Sequence, residues 1–293
     1  MNQSRAEFVG FKLSEDAGWV KRHASFYNKI NNGEFMIITS RENKIFKLAK
    51  LLKTAKGRSE KGLFLIEGIR SVRDAIEKNA DIECIIVKDG TSLDFKMICD
   101  VFTFAPKLFA EVCETVSPQG VMAVCRILKK ELEDTIASGK KCIVMCEALQ
   151  DPGNIGSVIR TAHAADCGGV ILTKGCCDLY NPKIIRATMT GIFSVPVVQN
   201  EASEHVIAYF KKNGYKIVAG ALSETSVDFY EADLTGKVLI VIGNEGNGIT
   251  DRTLSLCDCV VKIPMCSDAE SLNAAVAGSV MIYEHYRQNT KKP

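Results

Sequence analysis

The sequence predicts an α/β protein in which a small α/β sandwich precedes a larger unit built on an open sheet. Strand-like apolar runs alternate with helix-like patterns from residue 40 onward. The run Val238–Ile242 is wholly apolar, as expected of a strand buried on both faces. Polar, glycine-containing segments follow strand-like runs in the C-terminal half, which is where open α/β sheets place their ligands.

Composition narrows the class of protein. Of 293 residues, 46% are hydrophobic and 25% are charged, and the net charge of +2 creates no global field for a polyanion. No apolar run approaches the length of a membrane span, and residues 1–20 lack the apolar core of a signal peptide. The 12 cysteines match no common zinc-site spacing. We therefore expect a cytoplasmic protein with no membrane partner and no metal.

Residues 1–35 are an N-terminal extension without clear periodicity. Codons for Gly33-Glu34-Phe35 can spell a purine-rich ribosome-binding sequence directly before Met36. We hypothesise that Met36 is the native start and that the extension is upstream sequence. The alternative is a natural N-terminal arm, which sequencing of the endogenous protein would establish by finding Met1.

Residues 36–130 are expected to form the first unit. Ser40 is a candidate cap for a first helix, after which apolar residues recur at helical spacing. Further helices are expected over 69–76 and 108–116, and strands over 62–67, 82–87 and 120–125. The charged stretch 129–139 is the expected linker to a second unit at 140–293.

The second unit is expected to alternate strands with helices. Its strands are expected over 142–146, 170–172, 194–198, 216–219, 238–242 and 260–263. A capping box at Ser267–Glu270 is expected to begin the last helix. Apolar side chains on that helix form one face for the core or for an interface, at Leu272, Ala275, Val276, Val280 and Tyr283.

Three polar segments, at 154–160, 243–248 and 263–273, lie at the expected strand ends. Taken alone, the first is more simply a helix capped by Asn154 with a surface arginine, the second equally well a tight turn, and the third a helix cap. The glycine-rich second segment matches neither common phosphate-binding pattern, and Glu245 would repel phosphate. It therefore suits a neutral or cationic ligand, such as a ribose diol or a sulfonium.

The spacing and order of these segments resemble the SpoU (TrmH-type) branch of the SPOUT RNA methyltransferases. The resemblance covers roughly residues 142–288, and residues 40–128 resemble the L30e-like RNA-binding domain that often precedes it. The motifs are Asn154-x-Gly156-x-x-x-Arg160, then Gly243-Asn-Glu245-Gly-Asn-Gly248, then Ile263-Pro-Met265 with Ser271-Leu-Asn273.

The resemblance implies methyl transfer from S-adenosylmethionine to a ribose 2′-hydroxyl of RNA by a homodimer. It also implies a SPOUT-type parallel sheet with a C-terminal trefoil knot, which general topology rules would not predict. By the same carry-over, the cofactor-binding residues are Gly243, Ile263, Met265, Leu272, Ala221 and Leu222.

The resemblance places the chemistry on Arg160. A 2′-hydroxyl is a weak acid, so its proton must be removed or its developing charge stabilised during attack on the methyl group. Guanidinium groups are poor bases, and the family proposals make the arginine act together with an RNA phosphate. Electrostatic stabilisation of the alkoxide is a second explanation. The remaining expected catalytic residues position Arg160, the ribose or the cofactor, and they are Asn154, Glu245, Ser271 and Asn273.

A basic run in the first unit suits phosphate contacts. Residues 41–61 hold eight Lys or Arg against two Glu. A solvated helix face is the commoner explanation of such a run, but the neighbouring methyltransferase motifs favour RNA. The expected RNA-binding residues are Lys44, Lys47, Lys50, Lys53, Lys56 and Arg58.

A two-domain chain whose first domain is L30e-like favours 23S ribosomal RNA over tRNA as the substrate, by family analogy. The alternatives are a tRNA 2′-O-methyltransferase and a non-catalytic RNA-binding or ribosome-assembly protein with the same fold. The intact residues Asn154, Arg160, Glu245 and Asn273 argue against the non-catalytic alternative. A third hypothesis is an unrelated nucleotide-dependent α/β enzyme, which the acidic Glu245 loop disfavours because it would repel phosphate.

Overall fold

The computed structural model describes residues 37–95, 99–189, 191–223, 226–266 and 271–290. The expectations for residues 1–35 and for the capping box at 267–270 lie outside the described residues. The described chain forms two sheets, each covered by helices. In these ranges no helix is long and apolar enough to cross a membrane.

The first sheet has five strands, with β5 antiparallel to β2 and β3 and the other pairs parallel. Its spatial order is β1-β4-β3-β5-β2. The strands are β1 (Ile37–Ile38), β2 (Leu63–Glu67), β3 (Ile82–Lys88), β4 (Val101–Phe104) and β5 (Val121–Arg126). The helices of this unit are α1 (Lys44–Leu52), α2 (Ala55–Lys61), α3 (Ile69–Glu77) and α4 (Pro106–Val112).

The second sheet has seven strands, and every pair of neighbours is parallel. Its spatial order is β10-β12-β9-β11-β6-β7-β8, which confirms the expected parallel sheet. The trefoil knot stays a prediction. The strands are β6 (Cys142–Cys146), β7 (Gly169–Thr173), β8 (Val197–Glu201), β9 (Lys216–Gly220), β10 (Val227–Asp228), β11 (Val238–Ile242) and β12 (Cys259–Lys262).

Helices cover both faces of the second sheet, so the central strands β6 and β11 are buried along their whole length. The side chains of β11 divide between two core clusters: Ile240 and Ile242 lie in one, Leu239 and Val241 in the other. The helices are α5 (Leu132–Ile136), α6 (Pro152–Ala164), α7 (Pro182–Thr188), α8 (Ser203–Lys212), α9 (Asp251–Leu254) and α10 (Ala274–Asn289).

Several boundaries differ from the sequence expectation. The first helix is capped by Asn43 rather than Ser40, because the Asn43 side chain accepts a hydrogen bond from the backbone of Ile45. Strand β8 begins at Val197 rather than 194, because the chain first makes a 3₁₀ turn at Gly191–Phe193. The short strands β1, β4 and β10 were not predicted, since two to four residues carry too little periodicity.

The two units are packed together. Phe64 of β2 contacts Tyr180 of the second unit, with ring centroids 4.6 Å apart. The Arg58 guanidinium, 5% exposed, donates to Asp178 Oδ2 from Nε at 3.0 Å and to the carbonyl oxygens of Leu52 and Lys53. Nε, Nη1 and Nη2 each donate to protein atoms, so the structure argues against the expected RNA-binding role of Arg58. Sequence spacing did not reveal a partner 120 residues away.

Candidate active site

A cavity of about 450 Å³ lies at the carboxyl edge of the second sheet. Because the strands are parallel, the segments that follow β9, β11 and β12 meet there, and the first turns of α10 close the cavity. All six residues expected to bind the cofactor line it: Ala221, Leu222, Gly243, Ile263, Met265 and Leu272. Three of the expected catalytic residues also line it: Glu245, Ser271 and Asn273.

The wall of the cavity at Gly243 has no room for a side chain. A Cβ at Gly243 would lie 2.4 Å from the carbonyl carbon of Gly248 and 2.6 Å from the backbone nitrogen of Ile249. The loop is closed at the same place by two backbone hydrogen bonds between Asn244 and Gly248, of 2.9 and 3.0 Å. The backbone of Gly243 is therefore packed directly against the exit of its own loop, at residues 248 and 249.

Glu245 connects the glycine-rich loop to the segment that follows β6. Its carboxylate accepts hydrogen bonds from the backbone nitrogens of Gln150 and Asp151 and from Asn154 Nδ2, at 2.9 to 3.1 Å. Burial alone would raise the pKa of Glu245, but the hydrogen bonds from Asn154, Asp151 and Gln150 together lower it below the usual glutamate value. The group is therefore a carboxylate at neutral pH.

Asn154 and Asn273 extend this network. Asn273 Nδ2 donates to Asn154 Oδ1 at 2.9 Å, while Asn273 Oδ1 accepts from the backbone nitrogens of Ala275 and Val276. Asn273 is thus the N-cap of α10. The structure brings together residues 154, 245 and 273, which lie far apart in the chain, through direct side-chain contacts.

The cap of α6 is Asp151 rather than the expected Asn154, because the Asp151 side chain accepts from the backbone nitrogen of Asn154 at 2.9 Å. The Asp-Pro sequence, with proline at the first helical position, is the signal for that cap. Since Asp151 caps the helix, the buried Asn154 side chain is free to contact Glu245 and Asn273.

Arg160 is exposed on α6, six residues after Asn154, and is not among the residues that line the cavity. Ser157, one turn earlier on the same side of the helix, lines an open groove of about 410 Å³. The groove includes Val276 and Tyr283 of α10, each 49% exposed. Large exposed apolar side chains on one face of α10 indicate a surface for a partner.

Two polar residues were missed by the sequence reasoning. Asn244 Nδ2 donates to the Ala148 carbonyl oxygen at 2.8 Å, and its Oδ1 accepts from the backbone nitrogens of Gly246 and Asn247. Glu147, at the end of β6, is a buried carboxylate. Asparagine in a glycine-rich loop is a turn signal that was available in the sequence. Glu147 gave no signal, because its partners are set by tertiary structure.

The basic residues of the first unit are divided among several environments. Lys47 forms an ion pair with Glu42, and Lys53 lies 3.2 Å from Glu114. Lys50 lies 4.0 Å from Glu111 and Lys56 3.8 Å from Glu60, and all of these lysines keep some exposure. Lys44 is exposed and forms no ion pair within the described residues. In the part of the chain that the structure describes, no group of three or more His, Cys, Asp or Glu side chains has the arrangement of a metal site.

Comparison with known proteins identifies relatives of both units. Residues 141–283 match the SpoU rRNA Methylase family, and residues 43–123 match the MRM3-like substrate binding domain. The chain is 33% identical to the 23S rRNA (guanosine(2553)-2′-O)-methyltransferase RlmP of Bacillus subtilis over 84% of this chain and 97% of that protein. It is 30% identical to the 23S rRNA (uridine(2479)-2′-O)-methyltransferase of Streptomyces viridochromogenes, over 86% and 92% of the two chains.

A solved structure shares the fold. The SpoU methyltransferase AviRb from Streptomyces viridochromogenes, in complex with the cofactor AdoMet, superposes with a TM-score of 0.76 at 29% identity, over 84% of this chain and 98% of that chain. The likeness spans both units. On these similarities the chain belongs to the SpoU rRNA methylase family.

Proposed function

We propose that this protein transfers a methyl group from S-adenosylmethionine to a ribose 2′-hydroxyl of 23S ribosomal RNA. The observation that carries the proposal is the network of Glu245, Asn154 and Asn273 beside a cavity of suitable size, in the fold of named 2′-O-methyltransferases. At about 450 Å³ the cavity is within the range of about 300–1,000 Å³ of small-molecule sites.

The residues of the cavity fit this cofactor. Backbone groups at Gly243, Ile263 and Leu272 would donate and accept hydrogen bonds, and Ala221, Leu222 and Met265 supply apolar surface beside them. The lowered pKa of Glu245 keeps one negative charge at the site, which favours a cationic sulfonium and disfavours phosphate. The bound cofactor would supply a methyl group that is already activated.

The chain's own residues would orient and stabilise the nucleophile. Asn154 and Glu245 hold each other in one geometry, so they can position the ribose with little loss of conformational entropy. Ser271 lines the cavity and supplies a hydroxyl for the nucleotide. Arg160 would place its guanidinium beside the developing alkoxide and stabilise its charge.

A homodimer would complete this site. The groove formed by Ser157, Val276 and Tyr283 presents apolar surface next to the α6 ridge that carries Arg160. If two copies pair through this face, Arg160 of one copy lies at the interface rather than in bulk water. That arrangement explains why Arg160 does not line the cavity of its own chain.

The first unit would hold the RNA. We assign residues 36–130 to the RNA-binding domain, residues 140–293 to the methyltransferase domain and residues 1–35 to the extension. The phosphate contacts are proposed at Lys44, Lys47, Lys50, Lys53 and Lys56, without Arg58. We propose a cytoplasmic protein, in keeping with a ribosomal RNA substrate. The two relatives act on a guanosine and a uridine, so they leave the target base open.

The proposal is tested by transfer of labelled methyl from S-adenosylmethionine to total RNA from cells that lack this protein. We expect label in 23S RNA with the wild type and a rate about 100-fold or more lower with Arg160→Ala. Label in tRNA would keep the chemistry and overturn the substrate. Cofactor binding without transfer to any RNA, including ribosomal subunits, would support the non-catalytic alternative.

A further inference from the structure

Glu147 is a buried carboxylate that the proposed chemistry does not use. It follows β6, is 6% exposed, and accepts four hydrogen bonds. The donors are Ser203 Oγ at 3.0 Å, the Thr250 backbone nitrogen and Thr250 Oγ1 at 3.1 Å, and Thr253 Oγ1 at 2.5 Å. A buried carboxylate is costly unless its oxygens are fully hydrogen-bonded, and here both oxygens have donors.

Three of the four donors belong to the segment that follows the glycine-rich loop: two are on Thr250, and the third is the hydroxyl of Thr253 in α9. Thr250 follows Gly248 and Ile249 directly, and its side chain also caps α9 by accepting from the backbone nitrogen of Thr253. Gly243 packs against the backbone of Gly248 and Ile249 so closely that a Cβ at position 243 would collide with it. A continuous set of contacts therefore runs from Glu147 through Thr250 to Gly243 in the cavity wall.

The other contacts of the loop do not replace this one. Asn244 contacts the Ala148 carbonyl oxygen, and Glu245 accepts from the backbone of Gln150 and Asp151. These hydrogen bonds hold the entry and the tip of the loop, whereas Glu147 holds its exit. The segment after β6 thus contacts the loop at three points, and only at the exit is the acceptor a buried carboxylate.

We infer that Glu147 is a positioning residue, which fixes the exit of the glycine-rich loop so that the backbone at Gly243 is set for the methyl donor. It acts through Thr250 and does not touch the cavity. The inference rests on the proposed function for the identity of the ligand, but the geometry of the ligand-free loop can be tested by itself.

The test compares Thr250→Val with Ser203→Ala, each of which removes one hydroxyl donor to Glu147 Oε1, at 3.1 and 3.0 Å. Glu147→Gln, which keeps the shape of the side chain, is the third variant. Backbone hydrogen exchange at residues 243–248 is measured on ligand-free full-length protein, followed by calorimetric titration with S-adenosylmethionine, both well below the melting temperatures.

We expect exchange in the loop to be faster in Thr250→Val and Glu147→Gln, and cofactor dissociation constants to rise about tenfold, as loss of a hydrogen bond to a buried carboxylate predicts. Ser203→Ala removes a hydroxyl on α8, away from the loop, and should change neither measurement even if it lowers the melting temperature as much as Thr250→Val does. Wild-type exchange in both loop variants, or equal changes in all three variants, would overturn the positioning role.

If the wild type binds no S-adenosylmethionine, the proposed function fails and the exchange data alone decide the role of Glu147. If Glu147→Gln does not fold, Thr253→Val takes its place in the comparison with Ser203→Ala, because it removes a donor to Glu147 and keeps the Thr250 cap of α9. In kinetics, a positioning role predicts a higher KM for the cofactor with kcat at saturation changed less than KM. A fall in kcat alone would contradict it.

Discussion

The glycine-rich loop 243–248 and the basic helix α1 were both selected from the sequence as functional, and the structure treats them differently. In the loop, Gly243 and Glu245 line the cavity, and Glu245 contacts Asn154 of another selected segment. Along the basic run, Arg58 is buried against Asp178 and four lysines have acidic neighbours. Residues at parallel strand ends converge by topology, whereas the spacing of charges says nothing about tertiary partners.

The largest expected effect tests the loop. Gly243→Ala places a Cβ 2.4 Å from backbone, so the loop must shift by roughly an ångström and cofactor binding should weaken about 100-fold. Gly246→Ala is the matched control, because its Cβ would meet only the Asn244 side chain at 3.7 Å. Calorimetric titration with S-adenosylmethionine measures both, and equal affinities for the two variants would show that the loop does not form the site.

The second prediction tests the buried arginine. Arg58→Ala should lower the free energy of unfolding by about 2–3 kcal/mol, somewhat below the roughly 3–5 kcal/mol for a fully buried pair, because Asp178 is 31% exposed. Urea denaturation measures the change. If the variant is as stable as the wild type but binds RNA more weakly, Arg58 contacts RNA after all.

The third prediction is the counterpart on the exposed side of the basic run. Lys44→Ala should leave the free energy of unfolding within about 0.5 kcal/mol of the wild type, as for surface substitutions. It should reduce the slope of log affinity against log salt for RNA by about one, as the loss of one phosphate contact does. Filter binding over a series of salt concentrations measures the slope, and an unchanged slope would remove α1 from the RNA surface.

The smallest expected effect concerns the pH dependence of the loop. The pKa of Glu245 is lowered on folding, so its contribution to stability is present above the ordinary glutamate pKa of about 4.3 and is lost as pH falls through the lowered value. The stability difference between wild type and Glu245→Gln should therefore be constant from pH 7 to 5 and shrink in more acidic solution. A difference that disappears already between pH 7 and 5 would mean that the pKa is raised.

These contrasts indicate how far the sequence could be interpreted. The parallel sheet and the convergence of the three segments followed from apolar strands with polar ends, as the contact between Asn154 and Glu245 shows. The cap at Asp151 had a local signal, Asp before Pro, and was missed only because Asn154 was preferred. Arg58 and Glu147 had no local signal, because each has a partner far away in the sequence. Asp178 lies 120 residues from Arg58, and Thr253 lies 106 residues from Glu147.

We propose that the hydroxyl of a ribose, not a base, receives the methyl group, and nucleoside analysis of the product distinguishes the two acceptors. 23S RNA methylated by the wild-type protein with labelled S-adenosylmethionine would be digested to nucleosides and separated into base and sugar by mass spectrometry. We expect all label to stay with the ribose, at one nucleotide. Label on the base would contradict ribose methylation, because the polar network of Asn154, Glu245 and Asn273 would then serve a different acceptor.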